Sequence, residues 1–219
     1  RALRASVRAR RIARDRFRRK FPHRIGRMPQ DRPTFRAALL SPLHWPAWLG
    51  VAAIKLIALL PRRWLMRGGR IVGMLFARLP GERRHVAAIN LALCFPELDD
   101  AKRAAMLEEN LCDAGAMLAE FALAWMGSDA AIARIPVTID GLEHLQAARE
   151  SGRGVLLVGA HFSHLELCAR LVSQRIRIAG MYREHADAAF EWAIKRARLR
   201  YADAMFAKHE IRQSVRYLR

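Results

Sequence analysis

An α/β fold, a mostly parallel sheet with flanking helices, is what this 219-residue sequence predicts, and three observations carry it. From Ile135 onward, short apolar runs alternate with helical patterns, as right-handed crossovers between parallel strands require. Within that stretch Gly154-Val-Leu-Leu-Val-Gly-Ala160 is apolar throughout, as a buried strand would be. It feeds directly into His161-Phe-Ser-His-Leu-Glu166, which places a histidine at the end of the strand and a carboxylate in the first turn of the next helix. An apolar content of 53% is enough to fill a core.

The chain begins with a basic arm. Residues 1–36 hold 14 Lys/Arg against Asp15 and Asp31, so most of the net charge of +19 lies here. Such an arm is expected to be disordered and drawn to polyanions, whether nucleic acid or an anionic leaflet. The residues beside it favour the leaflet. Leu43 to Leu60 is apolar, with Trp45 and Trp48 suited to a membrane–water interface, and Arg62, Arg63, Arg67 and Arg70 follow. Its length is near the lower limit for a span, and Pro46 and Lys55 weaken that assignment. Basic flanks on both sides fit a helix lying in, or dipping into, the cytoplasmic leaflet, with a buried core helix as the alternative. Residues 37–70 are therefore read as a membrane-associated helical segment and 71–219 as the main domain. No aromatic-interleaved basic platform or recognition helix follows the arm, so nucleic acid is not the expected partner. The apolar run starts too far in, and lacks the small-residue site, for a cleaved signal peptide.

Arg70 to Phe76 continues as a short helix that Leu79-Pro-Gly81 breaks. Arg83 to Leu93 is helical and ends at Phe95-Pro96. Asp99 or Asp100 then caps the clearest helix in the chain. Its apolar stripe is Leu107, Leu111, Ala114, Leu118, Phe121 and Trp125, at alternating steps of four and three, and Gly127 stops it. Ile135, Val137 and Ile139 alternate as a strand. Gly141 turns the chain into a helix over 142–150, and Ser151-Gly-Arg-Gly154 turns it again. After the strand over 155–160 come a helix from about Ser163 to Ser173, a strand from Ile176 to Tyr182, and a long helix from about Ala186 to Phe206.

In an open parallel sheet the ligand site lies beyond the carboxyl ends of the strands. His161 and Arg183 each follow such an end, so one rim is expected to carry both. A histidine with a carboxylate in reach can act as a general base towards an alcohol, the carboxylate fixing the tautomer and stabilising the imidazolium. Ser163-His-Leu-Glu166 fits a capping box equally well, and the two roles conflict only in part. His161, His164 and Glu166 fall short of a metal site, because no third or fourth ligand stands at a recognised spacing. Cys94, Cys112 and Cys168 are odd in number with no CxxC, as reduced thiols would be.

With these residues in view, the chain resembles the lipid A late acyltransferases of Gram-negative bacteria, the lauroyl/myristoyl family within the lysophospholipid-acyltransferase-like group. The matching stretches are Asn90-Leu-Ala-Leu-Cys-Phe-Pro-Glu97, Glu120-Phe-Ala-Leu-Ala-Trp125 and Gly159-Ala-His161-Phe-Ser-His-Leu-Glu166, continued by Tyr182-Arg183 and Arg196-Ala-Arg198. The resemblance implies a glycerolipid-acyltransferase-like fold and transfer of a fatty acyl chain from acyl carrier protein to a hydroxyl of a lipid A precursor. His161 corresponds to the family's catalytic histidine and Glu166 to its acidic partner. Arg198 matches a position tied to substrate binding, and Arg183 matches less firmly. The implied partners are acyl carrier protein, an anionic glycolipid acceptor and the membrane surface. The implied place is the bacterial inner membrane, with the catalytic domain on the cytoplasmic side. Neither cofactor nor metal is implied; acyl carrier protein brings the acyl group as co-substrate. A different glycolipid acceptor, or a non-catalytic membrane- or polyanion-binding paralogue, is the alternative. Family members run further, through more strands and an Asp-rich loop, so the domain is expected to be incomplete here.

Overall fold

Helices dominate the first half of the chain and form a unit of their own, Trp45–Ile135 together with Ala160–Cys168. The computed structural model describes residues 33–218 apart from Arg153, so the greater part of the predicted basic arm, residues 1–32, lies outside the described residues. After a 3-10 turn at Pro42–His44, helix α1 runs Trp45–Ile57, α2 Arg62–Arg78, α3 Glu82–Cys94, α4 Asp100–Met126 and α5 Asp129–Ala133. Residue 70, where the sequence suggested a division, falls inside the continuous α2. Among the described residues no helix is long and apolar enough to cross a membrane.

Helix α4 organises this unit. Asp99 is its cap, accepting the Lys102 backbone N–H at 2.8 Å. That bond, with the Lys102 ammonium, holds the Asp99 carboxyl below its ordinary value. The predicted apolar stripe needs correcting. Leu107 and Trp125 are buried, but Leu118 is 55% exposed. The packed face is set by small residues, because Gly115, Ala116 and Ala119 let α2 approach closely through Gly69 and Gly73. A Cβ added at Gly69 would lie 2.8 Å from the Gly115 carbonyl oxygen and 2.9 Å from Ala119 Cβ. Periodicity counts large apolar residues, whereas close helix contact selects side chains that are absent.

The second unit combines the described residues up to His44 with Pro136–Gly159 and Ala169 onward. Its helices are α6 Leu142–Glu150, the last turn of α7 Leu165–Val172, α8 Ala188–Arg198 and α9 Ile211–Leu218. Strand β1, Ala179–Tyr182, pairs in parallel with β2, Ala204–Ala207, in the register Ala179 to Ala204 and Tyr182 to Ala207. All four residues of β2 are buried. Parallel pairing across a helix is the predicted α/β unit, but it is small, and the described chain is mostly helical.

Three predicted elements differ. The helix expected over 186–206 ends at Arg198, and its tail becomes β2. Asp203 N–H bonds the Ile178 carbonyl at 2.8 Å, so pairing with β1 overrides the helical preference of an Ala- and Met-rich run. No strand forms at 135–139, where Pro136 supplies no backbone donor. None forms at 155–160 either, and Val158 there is 88% exposed. An apolar run signals a buried strand only if another strand offers it a ladder, and β1 and β2 are the paired strands among the described residues.

Asp187 caps α8, accepting from the N–H groups of Ala189 at 2.9 Å and Phe190 at 2.8 Å. It also pairs with His44 Nδ1 at 2.7 Å. Trp192 donates its indole N–H to the Pro33 carbonyl at 2.9 Å and meets Phe35 edge-on.

Candidate functional site

Two acidic or aromatic side chains from the buried C-terminal half of α4 meet the start of α7. Trp125 donates its indole N–H to Glu166 Oε2 at 2.9 Å. Five residues earlier, buried Glu120 pairs with His164 Nδ1. Arg62, at the start of α2, lies 3.6 Å from the same Glu120 carboxylate. Trp125 is itself held by stacking on Phe121, with ring centroids 5.2 Å apart. A carboxylate that receives a fixed N–H is constrained in orientation.

His161 and Glu166 both belong to this helical unit. His161 precedes α7 and is exposed, so its ring is open to a reacting molecule. Glu166 is half-buried in the first turn of α7. The first helical bond of α7 runs from Cys168 N–H to the His164 carbonyl at 2.8 Å. His164, not Ser163, therefore takes the capping position, one residue later than the capping-box pattern suggested. Burial, and then the nearby Glu120 charge, push the Cys168 thiol above its ordinary value, so it is poorly suited to serve as a thiolate nucleophile. Among the described residues no three His, Cys, Asp or Glu side chains gather around a point that could hold a metal.

Arg183 and Arg198 belong to the other unit. Arg183 is exposed immediately after β1, as its place at a strand end predicts. Arg198 is buried in the last turn of α8, its guanidinium 5.3 Å from the Tyr182 ring centroid. Tyr182 donates its hydroxyl to Glu191 Oε1 at 2.5 Å, and burial together with that bond drives the phenol far above its ordinary range. Arg196 in α8 and Arg200 just beyond it are exposed, with Arg196 lying over Trp192.

Sequence reasoning passed over Glu120 and Trp125 as parts of this constellation. A signal existed: Glu120 is the one charge in the otherwise apolar run Ala114–Met126. A charge inside a buried helical face needs a partner, and His164 at the start of α7 supplies one.

Residues 32–219 match the sequence model of the bacterial lipid A biosynthesis acyltransferases. The chain is 34% identical over 187 residues to a lipid A biosynthesis lauroyltransferase of Escherichia coli K12, covering 85% of this chain and 61% of that protein. It is 35% identical over 189 residues to a lipid A biosynthesis acyltransferase of Haemophilus influenzae, covering 85% and 60%. A lipid A biosynthesis myristoyltransferase of E. coli K12 is 33% identical over 188 residues, covering 81% and 55%. The chain thus spans about 60% of the length of the first two relatives. No solved structure matches it.

Proposed function

The chain belongs to the bacterial lipid A biosynthesis acyltransferase family, and we propose that it transfers a fatty acyl chain from acyl carrier protein to a hydroxyl of a lipid A precursor. One observation supports this reading above the others: exposed His161 stands at the entrance to a helix whose first-turn carboxylate, Glu166, is fixed by Trp125. His161 takes the proton of the acceptor hydroxyl as that oxygen attacks the thioester carbonyl. The tetrahedral adduct collapses, the carbon–sulfur bond breaks, and the leaving thiolate takes the proton from the imidazolium. Glu166 stabilises the imidazolium while it exists.

Arg183 and Arg198 serve the anionic groups of the two substrates in this proposal. Acyl carrier proteins are acidic, so the basic surface speeds encounter, and the acceptor's phosphates use the same cations. The protein acts at the cytoplasmic side of the inner membrane. Exposed Trp45 and Leu49 on α1, and Trp64, Leu75 and Phe76 set among the arginines of α2, support contact with a lipid surface.

Mass spectrometry of lipid A from cells lacking the gene tests the function. A species short of one acyl chain is expected, restored by the wild-type gene and not by His161→Ala. Unchanged lipid A in the deletion strain would overturn the assignment.

A further inference from the structure

Glu120 and Trp125 take no part in the chemistry just described, yet both hold the start of the helix that follows His161. Trp125 fixes Glu166 and Glu120 fixes His164, with two residues between His161 and His164. Both clamping residues project from one rigid helix, five residues apart, and both are buried, while the segment they hold is largely exposed. A short exposed segment with few apolar contacts opens readily unless it is tied down. We propose that Glu120 and Trp125 are positioning residues for acyl transfer. Helix α4 acts as a splint for the start of α7, fixing Glu166 and the point three residues after His161, and His164 is the handle by which Glu120 grips it. The proposal rests on the His161–Glu166 reading and adds three residues to it.

A positioning role differs from general support of the fold in what it moves. Trp125→Phe keeps the stacking ring and removes only the N–H. It should lower kcat, by up to about a hundredfold for a misplaced reacting group, while KM for acyl carrier protein bearing a fatty acyl chain stays within about twofold. His164→Ala, on the exposed side of the pair, should also lower kcat. Glu120→Gln, which can still bond His164, should retain more activity than Glu120→Ala. Because Glu120→Ala leaves a buried gap, Trp125→Phe and His164→Ala carry the test.

A second measurement does not depend on turnover. The Trp125 indole N–H signal in the full chain, identified by its loss in Trp125→Phe, should follow a carboxylate titration that disappears in Glu166→Gln. An indole signal indifferent to pH overturns the clamp. So do Trp125→Phe and His164→Ala with wild-type kcat. If those two variants are normal while His161→Ala is inactive, the clamp alone fails. If His161→Ala is active, the proposed mechanism fails with it.

Discussion

Glu166 sits in the first turn of α7 and accepts the Trp125 indole N–H. Glu166→Gln preserves an acceptor for Trp125 but removes the charge that would stabilise an imidazolium. Activity should fall sharply with little change in melting temperature; full activity would leave Glu166 only as a structural partner of Trp125. Asp187 gives a second test at this scale. Its bond to His44, and then the Phe190 N–H, hold its pKa below the ordinary carboxylate value. A folded-state pKa that is depressed contributes stability above the unfolded value of about 4 and loses it as pH falls through the folded value. Asp187→Ala should cost about 1 kcal/mol, as for loss of a helix cap, and the difference from wild type should shrink below pH 4 in denaturant titrations. The proposed pair, His161 and Glu166, can be picked out from the sequence because both lie within six residues. Glu120 and Trp125 were not joined to them, because their partners lie about 40 residues away and no local pattern reports such a pairing.

Helix boundaries were largely legible where a cap or a breaker is spelled out. Asp99 starts α4, Gly127 ends it, and Phe95-Pro96 ends α3. The face a helix buries was less so, because α4 packs on α2 through Gly115, Gly69 and Gly73 while Leu118 stays in the open. Gly115→Val should therefore destabilise the helical unit by at least about 1–3 kcal/mol through overpacking, and Leu118→Gln should be close to neutral. Urea denaturation of the two variants separates the small-residue contact from the apolar stripe as the packing determinant. Strands were the least legible elements. Ala204–Ala207 reads as the tail of a helix and pairs as a strand, whereas Leu156–Val158 reads as a strand and is exposed. In both cases the deciding information is a neighbouring ladder, which is tertiary.

Across the whole molecule, charge and apolar exposure fall together on the N-terminal helices. Arg63 and Arg67 lie over the exposed Trp64 ring, and Ile71, Leu75 and Phe76 are exposed on the same helix. The protein should sediment with vesicles containing anionic lipid and lose that binding as salt rises, since surface charge contributes about 1 kcal/mol per basic residue near the leaflet. Sedimentation indifferent to lipid charge would assign the binding to apolar contact alone. A parallel sheet was foreseen in kind, but of the expected strands only 176–182 forms in part, and its partner β2 was not foreseen. The most direct measurement is the rate of acyl transfer from acyl carrier protein to a lipid A precursor by membrane-bound wild type and His161→Ala at equal amounts of folded protein. The predicted result is a fall of about 10² to 10⁴, the usual loss when a general base is removed; a His161→Ala rate near that of wild type would contradict it.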